Sequence, residues 1–512
     1  MQRIWTDRIL GAILWLAAGG LFAPQLALGQ GPPDEGPPPD VSVAGLVKEF
    51  AHPQLLLMPG SKDWHLVSQF HNPADKPLVA EKTGRAAEYS LAKFEGPGAL
   101  VRLWIANASG HLSFYLDGAP RPSLRVDLKL LRSGQFQVFE PPFSEAVGKG
   151  VVFRFPIPFI KSLEIRTEND PAAWTADCRR YPDGSSVHPF DTKSAAAQLF
   201  FVVREDAEIL WALTKPKTKA AKVQGSHPAA DASLSLKPSE SKTIFEASDG
   251  GLLEEVSFEH FLPFLSADQL AGLVIEVEAD GKQRVSVPLI DFFAEARKFQ
   301  PGRERWTKRE VLFEGICRRR TARWPMPFEK SLKLSVANRG DVAVPAMRFF
   351  FQQAKNKPEA FTHYFRAESF EREIAFSSAT TPLVLLPHLA SKSRVVADLV
   401  RTSWGQWDRK GPVVSRGSEE TLDPLAATMA HYLSMKRFGK GRAIRAFDLV
   451  FQPGESETRV IGHESETLLM RQRMSDYLSL RKGDRFSIPV GWDGKTTRTF
   501  RGSLFYFEAR KL

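Results

Sequence analysis

The sequence predicts a mainly β protein, two tandem jelly-roll-like β-sandwiches followed by a mixed C-terminal segment containing at least one helix. Three observations predict it. A phrase occurs twice, RFPIPFIKSLEIRTEND at 154–170 and RWPMPFEKSLKLSVANRGD at 323–341. Ahead of each copy, apolar and polar residues alternate on both sides of an Asp-Gly pair, the signature of a β-hairpin with a tight turn. The 512 residues include 36 Gly, 36 Pro and 37 Phe, which suits many short strands joined by turns better than a helical bundle.

Aligned without gaps, the copies share Arg154/Arg323, Pro156/Pro325, Pro158/Pro327, Phe159/Phe328, Lys161/Lys330, Ser162/Ser331, Leu163/Leu332 and Asn169/Asn338. Such agreement marks a duplicated unit. Prolines cannot donate to a sheet ladder, so Pro-x-Pro-Phe belongs at a strand entry or edge, and it is expected to turn the chain from one sheet of a sandwich into the other. The hairpins preceding it are HLSFYLDGAPRPSLRVDL (111–128) and LVIEVEADGKQRVSVPLIDFF (273–293), with their turns at Asp117-Gly118 and Asp280-Gly281.

Around this repeat the chain divides into six parts. Residues 1–29 read as a secretory signal peptide, with Arg3 and Arg8 ahead of an apolar run and a small-residue exit at Gly29. That predicts a secreted, periplasmic or cell-surface protein. Residues 30–42 are a Pro-rich tether, 43–213 the first jelly-roll domain, 214–240 a basic linker and 241–385 the second jelly-roll domain. The C-terminal segment 386–512 carries a helix at 424–438, capped by Asp423 with Pro424 in its first position, plus strands about Asp493-Gly494.

Charge and cysteine content narrow the function. The formal net charge is +10, partly concentrated in TKPKTKAAK (214–222), CRRRTAR (317–323) and KRFGKGRAIR (436–445). Such patches suit solvated faces and a basic linker, or an anionic polysaccharide or membrane surface. No nucleic-acid motif accompanies them, so no nucleic-acid partner is expected. Only Cys178 and Cys317 occur, too few for a disulfide scaffold or a Cys-cluster metal site. Two buried free thiols are expected, with one bridge between the halves as the alternative. No metal or cofactor is predicted. His463-Glu464-Ser465-Glu466 lacks the second His of a metalloprotease helix, and GKGR at 439–442 lacks the strand and Lys-Ser/Thr order of a phosphate loop.

GPGALVRLWIANASGHLSFYLDG, PSLRVDL, FRFPIPFIKSLEI and CRRYPDGSSVHPF in the first half, with VSVPLIDFF, RWPMPFEKSLKL and HYFRAESFERE in the second, resemble the domain of unknown function numbered 2961. That family includes glycoside hydrolase family 172, whose characterised members act on α-linked fructofuranosides and related furanosides. The resemblance runs from about His52 to Glu373. It implies paired jelly rolls, assembly into homotrimers or hexamers, and a site where two carboxylates handle a carbohydrate. One carboxylate supplies a proton while the other attacks the anomeric centre or activates water. In the family the pair lies in stretches like W-G-E-G-D and G-T-G-S-E-D-Y, and this chain has SWGQWDRKGPVVSRGSEETLD at 403–423. The resemblance therefore points to Glu419 and Asp408. Gln406 stands where the first Glu belongs, and an amide neither ionises nor acts as a nucleophile.

Trp404, Trp104 and Trp324 are the candidate sugar-stacking residues, since an indole face suits a sugar ring. The expected function is a secreted carbohydrate-active protein resembling α-furanosidase-type glycoside hydrolases. The alternative is a non-catalytic carbohydrate-binding or structural surface protein.

Overall fold

The computed structural model describes residues 41–57, 64–71, 80–83, 86–106, 109–135, 139, 143–147, 150–171, 173–191, 230–260, 272–293, 307–309, 313–316, 319–354, 361–375, 381–386, 391–402, 406–407, 413–416, 419–422, 444–445, 458–460, 467–472, 478–480, 482–491 and 497–510. Residues 1–40, with the predicted signal peptide and most of the tether, and the predicted helix 424–438 lie outside these.

The fold begins before the predicted boundary. Val41 pairs in parallel with Val187 and is buried, so the last two residues assigned to the tether belong to the folded body. Ser42 caps the helix Val43–Ala51, its side chain accepting from the Gly45 N–H at 3.1 Å. Leu46, Val47, Phe50 and Ala51 form its buried stripe. The polar face carries Glu49, which pairs with the fully buried Arg179, and Arg179 lies over the Trp64 ring at 4.3 Å.

The first sandwich has two sheets. One runs His65–His71, Trp174–Arg180, Gly98–Ile105, Gly150–Phe153, Ser144–Val147, with Ile157–Phe159 also on Gly98–Ile105. The facing sheet runs Ala80–Thr83, Ala86–Glu95, Ser162–Thr167, His111–Leu116, Leu124–Asp127. Early and late strands alternate as neighbours, the jelly-roll arrangement. Phenylalanines fill the space between: Phe139 meets Phe153 edge-on at 5.1 Å and Phe155 at 4.9 Å, and Phe155 meets Phe143 at 5.3 Å. Edge-to-face packing accounts for the abundance of Phe over Tyr, since these rings have no hydroxyl to satisfy.

The second sandwich repeats the plan. Its first sheet runs Ala230–Leu236, Val344–Gln353, Gly251–His260, Arg319–Ala322, Phe313–Ile316, Thr307–Arg309, with Met326–Phe328 on Gly251–His260. The other starts Ser241–Ser248, Ser331–Asn338, Leu273–Ala279, Lys282–Pro288. Ala230–Leu236 corrects the linker prediction: ADASLSL looks like polar filler, yet its alternation places Leu234 and Leu236 in the core.

This second sheet continues into the C-terminal segment. Lys282–Pro288 pairs in parallel with His363–Ala375, which pairs with Thr497–Ala509, then Ser393–Thr402 and Thr467–Gln472. A further sheet holds Thr381–Leu386, Arg485–Gly491, Val413–Arg416 and Glu419–Leu422.

The repeated phrase does the same work in both sandwiches. Ile157–Phe159 lies in one sheet and Ser162–Thr167 in the facing sheet, and Met326–Phe328 and Ser331–Asn338 do likewise, so Pro-x-Pro-Phe is the corner between layers. The Asp-Gly turn clamps that corner. Asp117 and Asp280 adopt φ of 54° and 53°, each followed by a glycine in the same left-handed region. Asp117 Oδ1 accepts from the N–H groups of Ile160 at 3.0 Å and Ser162 at 3.2 Å. Asp280 Oδ1 accepts from Glu329 at 3.0 Å, Lys330 at 2.7 Å and Ser331 at 3.1 Å. The corner phenylalanines need glycine opposite them: a Cβ on Gly98 would stand 2.6 Å from the Phe159 ring, and one on Gly251 2.8 Å from Phe328.

Candidate functional site

The two sandwiches share a scaffold, so the places where they diverge are the places to look for chemistry. In the second, the strand resumes at Lys282 directly after the Asp280-Gly281 turn. In the first, Ala119–Ser123 with Pro120 and Pro122 swings aside before the strand resumes at Leu124. Proline cannot donate to the ladder, which keeps this loop off the sheet. Beneath it opens a cleft of about 560 Å³ lined by Tyr115, Pro120, Arg121, Pro122, Glu164 and Arg166 among others. That volume falls within the range of roughly 300–1,000 Å³ usual for small-ligand pockets.

Alternation along Ser162–Thr167 sends Leu163 and Ile165 inward, and Glu164 and Arg166 toward the cleft. Glu164 lies opposite both Lys93 and Tyr115 in the register. Its Oε1 is the focus of three donors: Arg166 Nε at 2.7 Å, Ser90 Oγ at 3.1 Å and Lys93 Nζ at 3.2 Å. Burial pushes this carboxyl up, but the hydrogen bonds and charges of Arg166 and Lys93 outweigh burial and hold it below the usual carboxylate range. The Arg166 guanidinium stacks over the Tyr115 ring at 5.1 Å. Tyr115 in turn donates to Glu88 Oε2 at 2.9 Å, and Ser113 donates to Glu88 Oε1 at 3.2 Å. Burial, then the bond to Glu88, raises the Tyr115 hydroxyl, which keeps it a donor at neutral pH.

A second polar network lies on His363–Ala375 and Thr497–Ala509. Arg366 bridges Glu508 at 2.7 Å and Glu368 at 3.5 Å, Tyr506 donates to Glu368 at 2.6 Å, and Tyr364 donates to Asp280 at 2.6 Å. Every one of these side chains is engaged by a neighbour, and the network ties the segment Tyr364–Ala367 to the Asp280 turn.

The tryptophans expected to stack on sugar fall otherwise. Trp324 is fully buried, its indole N–H donating to the Phe292 carbonyl at 3.1 Å and its ring stacked on Phe505 at 4.7 Å and Phe365 at 5.0 Å. Trp104 is buried with Val152 and Ala173. Neither offers a ring face to a ligand: Trp104 stands on the inner strand Gly98–Ile105 and Trp324 between Arg319–Ala322 and Met326–Phe328, and both are covered. Trp404 and Asp408 lie outside the described residues. Glu419 opens the strand Glu419–Leu422, its backbone paired with that of Arg416. Gln406 pairs with Gly491 and Ser415 with Arg485. At about 3.3 Å per residue, Gln406 and the Arg416/Glu419 turn sit at opposite ends of Arg485–Gly491, on the order of 20 Å apart.

Cys178 is a free, buried thiol, and burial pushes its pKa up. Cys317 lies outside the described residues. Among the described residues no group of three His, Cys, Asp or Glu side chains could hold a metal ion, and no helix is long and apolar enough to cross a membrane.

Tyr115, Glu164 and Arg166 were missed by sequence reasoning. The available signal was the comparison of copies, in which the outward residues Ser162, Glu164 and Arg166 become Ser331, Lys333 and Ser335.

The fold and cleft define a class: a tandem jelly-roll-like β-sandwich protein with a polar, arginine-bearing cleft on its first sandwich. More particularly, residues 59–198 match the family model described as GH172 first beta-sandwich domain, which relates this segment to glycoside hydrolase family 172. The cleft residues all fall inside the matched stretch. The remainder of the chain, including the second-half segments expected to resemble the same family, lies beyond it. No curated protein matches the sequence. Among solved structures, the major capsid protein P2 from Bacteriophage PM2 is similar at 10% identity and TM-score 0.32, covering 55% of this chain and 98% of that one. PBCV-1 VP54, fitted into a cryo-EM reconstruction of the virophage Sputnik, is similar at 8% identity and TM-score 0.28, covering 57% and 97% respectively.

Proposed function

We propose that this is an exported carbohydrate-active protein whose first sandwich holds a sugar in the cleft beneath Ala119–Ser123. The observation that carries the reading is that Glu164, Arg166 and Tyr115 converge on one cleft inside the stretch matching the first β-sandwich of family 172. A carboxylate and a guanidinium side by side offer an acceptor and donors in one plane, the pattern that vicinal hydroxyls require. The proline-rich loop supplies an apolar wall for the ring's C–H face.

Binding without cleavage is favoured at this cleft. Glu164 is held ionised, so it has no proton to donate at neutral pH, and both Glu88 oxygens already accept hydrogen bonds. A second reading is hydrolysis of a furanoside with Glu419 and Asp408 as the carboxylate pair; the family match at 59–198 supports the reaction class, the likeness of SWGQWDRKGPVVSRGSEETLD to the family's carboxylate stretches supports the pair, and Gln406 weakens it. The reading of residues 1–29 as a signal supports export, and family resemblance supports assembly as a homotrimer or hexamer.

The test uses the chain from Gln30 onward, a panel of fructose-containing and aryl furanosides, and two variants. Glycan binding by the wild type that Glu164→Gln weakens about tenfold or more, without sugar release, supports the binding reading. Sugar release abolished by Glu419→Gln establishes the hydrolytic one. Neither binding nor release from any substrate overturns both.

A further inference from the structure

The charges around the cleft do not cancel. Of the residues that line the cleft, Arg121 and Arg166 stand against Glu164, so the lining holds one more positive than negative group. Both carboxylates are moreover committed: Glu88 accepts from Ser113 and Tyr115, and Glu164 gathers its three donors on Oε1. Arg166 is oriented by its bond to Glu164 and by the Tyr115 ring beneath it. Arg121 also lines the cleft and is exposed, between Pro120 and Pro122, whose fixed φ angles limit the loop's freedom and so the entropy lost when Arg121 engages a ligand.

The second sandwich shows what the scaffold does without these groups. There Ser335 takes the place of Arg166, Lys333 pairs with Glu246 at 3.6 Å, and the hairpin turns tightly with no arginine loop. The arginine pair and the loop that carries one of them are therefore particular to the first copy, and both arginines line one cleft of small-ligand size.

We propose that this cleft selects a sugar bearing a carboxylate, a uronic acid unit, by placing that carboxylate between Arg121 and Arg166. Guanidinium groups match carboxylate geometry with paired, charge-assisted N–H donors, a stronger contact than the hydrogen bonds a neutral hydroxyl accepts from them. A ring hydroxyl then meets Glu164 Oε2, and the ring lies against the prolines. The inference rests on the carbohydrate reading above and adds the ligand's charge.

The experiment is calorimetric titration of the full mature chain at low salt with an oligogalacturonide, and with the same oligomer after carboxyl reduction to the neutral sugar. The expected result is binding of the acidic form about tenfold or more tighter than the neutral form, since a charge-assisted contact is worth about 1.5–3 kcal/mol. The preference should shrink as salt is added, because Arg121 is exposed. Arg121→Ala, a change on an exposed loop, should weaken the acidic form more than the neutral form and so remove most of the preference, and Arg121→Glu should invert it. Equal affinity for both forms overturns this inference while leaving carbohydrate binding intact. Binding of neither form by a wild type whose circular dichroism shows a folded β protein overturns this inference and the binding reading together.

Discussion

Glu164 and Lys333 occupy the same position in the two sandwiches, and their charges are reversed. Each stands on the strand that leaves the corner, and each pairs across to the neighbouring strand with a partner of opposite sign, Lys93 at 3.2 Å and Glu246 at 3.6 Å. The duplicated frame keeps an ion pair here while its polarity is free to change. Two roles are thereby separated: the corner and its clamp hold the frame, and the outward positions are available for chemistry.

Removing the clamp should therefore hurt stability more than removing the ion pair. Asp280→Ala is expected to cost about 1–3 kcal/mol, because it strips an acceptor from three backbone N–H groups and from Tyr364. Asp117→Ala should cost less, having no tyrosine to lose. Lys333→Ala, which breaks an exposed pair, should change stability by under about 1 kcal/mol. Urea denaturation followed by tryptophan fluorescence orders the three.

The same carboxylate predicts a pH dependence. Burial pushes Asp280 up, but the Tyr364 hydroxyl and the backbone donors outweigh it and hold it below the usual aspartate range. A depressed folded-state pKa contributes stability above the unfolded value of about 3.9 and loses it as pH falls through the folded value. The stability gap between wild type and Asp280→Asn should be widest at neutral pH and narrow below about pH 4. A gap that widens on acidification would contradict the assignment.

At the corner, Gly98→Ala should destabilise by about 1–3 kcal/mol, since its Cβ meets the Phe159 ring. Combining it with Phe159→Leu should cost less than the two single changes added. A double-mutant cycle measures that coupling, and strict additivity would mean the two residues do not touch.

Trp324→Ala should lower stability by about 3–5 kcal/mol, as expected when a large buried aromatic is removed. Trp324→Phe, if folded, should leave any sugar affinity where it was, because its ring is packed between Phe365 and Phe505. Loss of affinity in a folded Trp324→Phe protein would restore it as a binding residue.

Cys178 should be unreactive toward a disulfide reagent at neutral pH in the native Cys317→Ser protein, and should react fully once the chain is unfolded. Burial keeps the thiol protonated and out of reach.

Much of the frame was legible in the sequence. The Asp-Gly hairpins, the corner and the duplication are local patterns, and local patterns survive in linear order. The strand Ala230–Leu236 escaped because its polar alternation resembles a linker until Val344–Gln353 comes beside it. The helix Val43–Ala51 escaped because it is short and adjoins a proline tract. The cleft was harder still. Nothing local marks Glu164, whose partners Ser90 and Lys93 lie far earlier in the chain and meet it only through strand register. Trp104 and Trp324 show the converse: an aromatic in or beside a strand reads equally as platform or core, and only the covering layers decide.

The continuation of the second sandwich's sheet bears on the order in which the chain is finished during synthesis. Every strand of the first sandwich's two sheets lies between His65 and Arg180, and Phe190 closes on Pro158 just beyond them. Once that stretch has emerged, its layers can close over the phenylalanine core. The second must wait: one edge of His363–Ala375 stays open until Thr497–Ala509 arrives to pair along its whole length. In that interval a long strand edge is open to any passing chain. Glu368, Glu371, Arg372 and Glu373, exposed along that strand, put charge where an errant partner would dock, a guard for the time before the last strand is made.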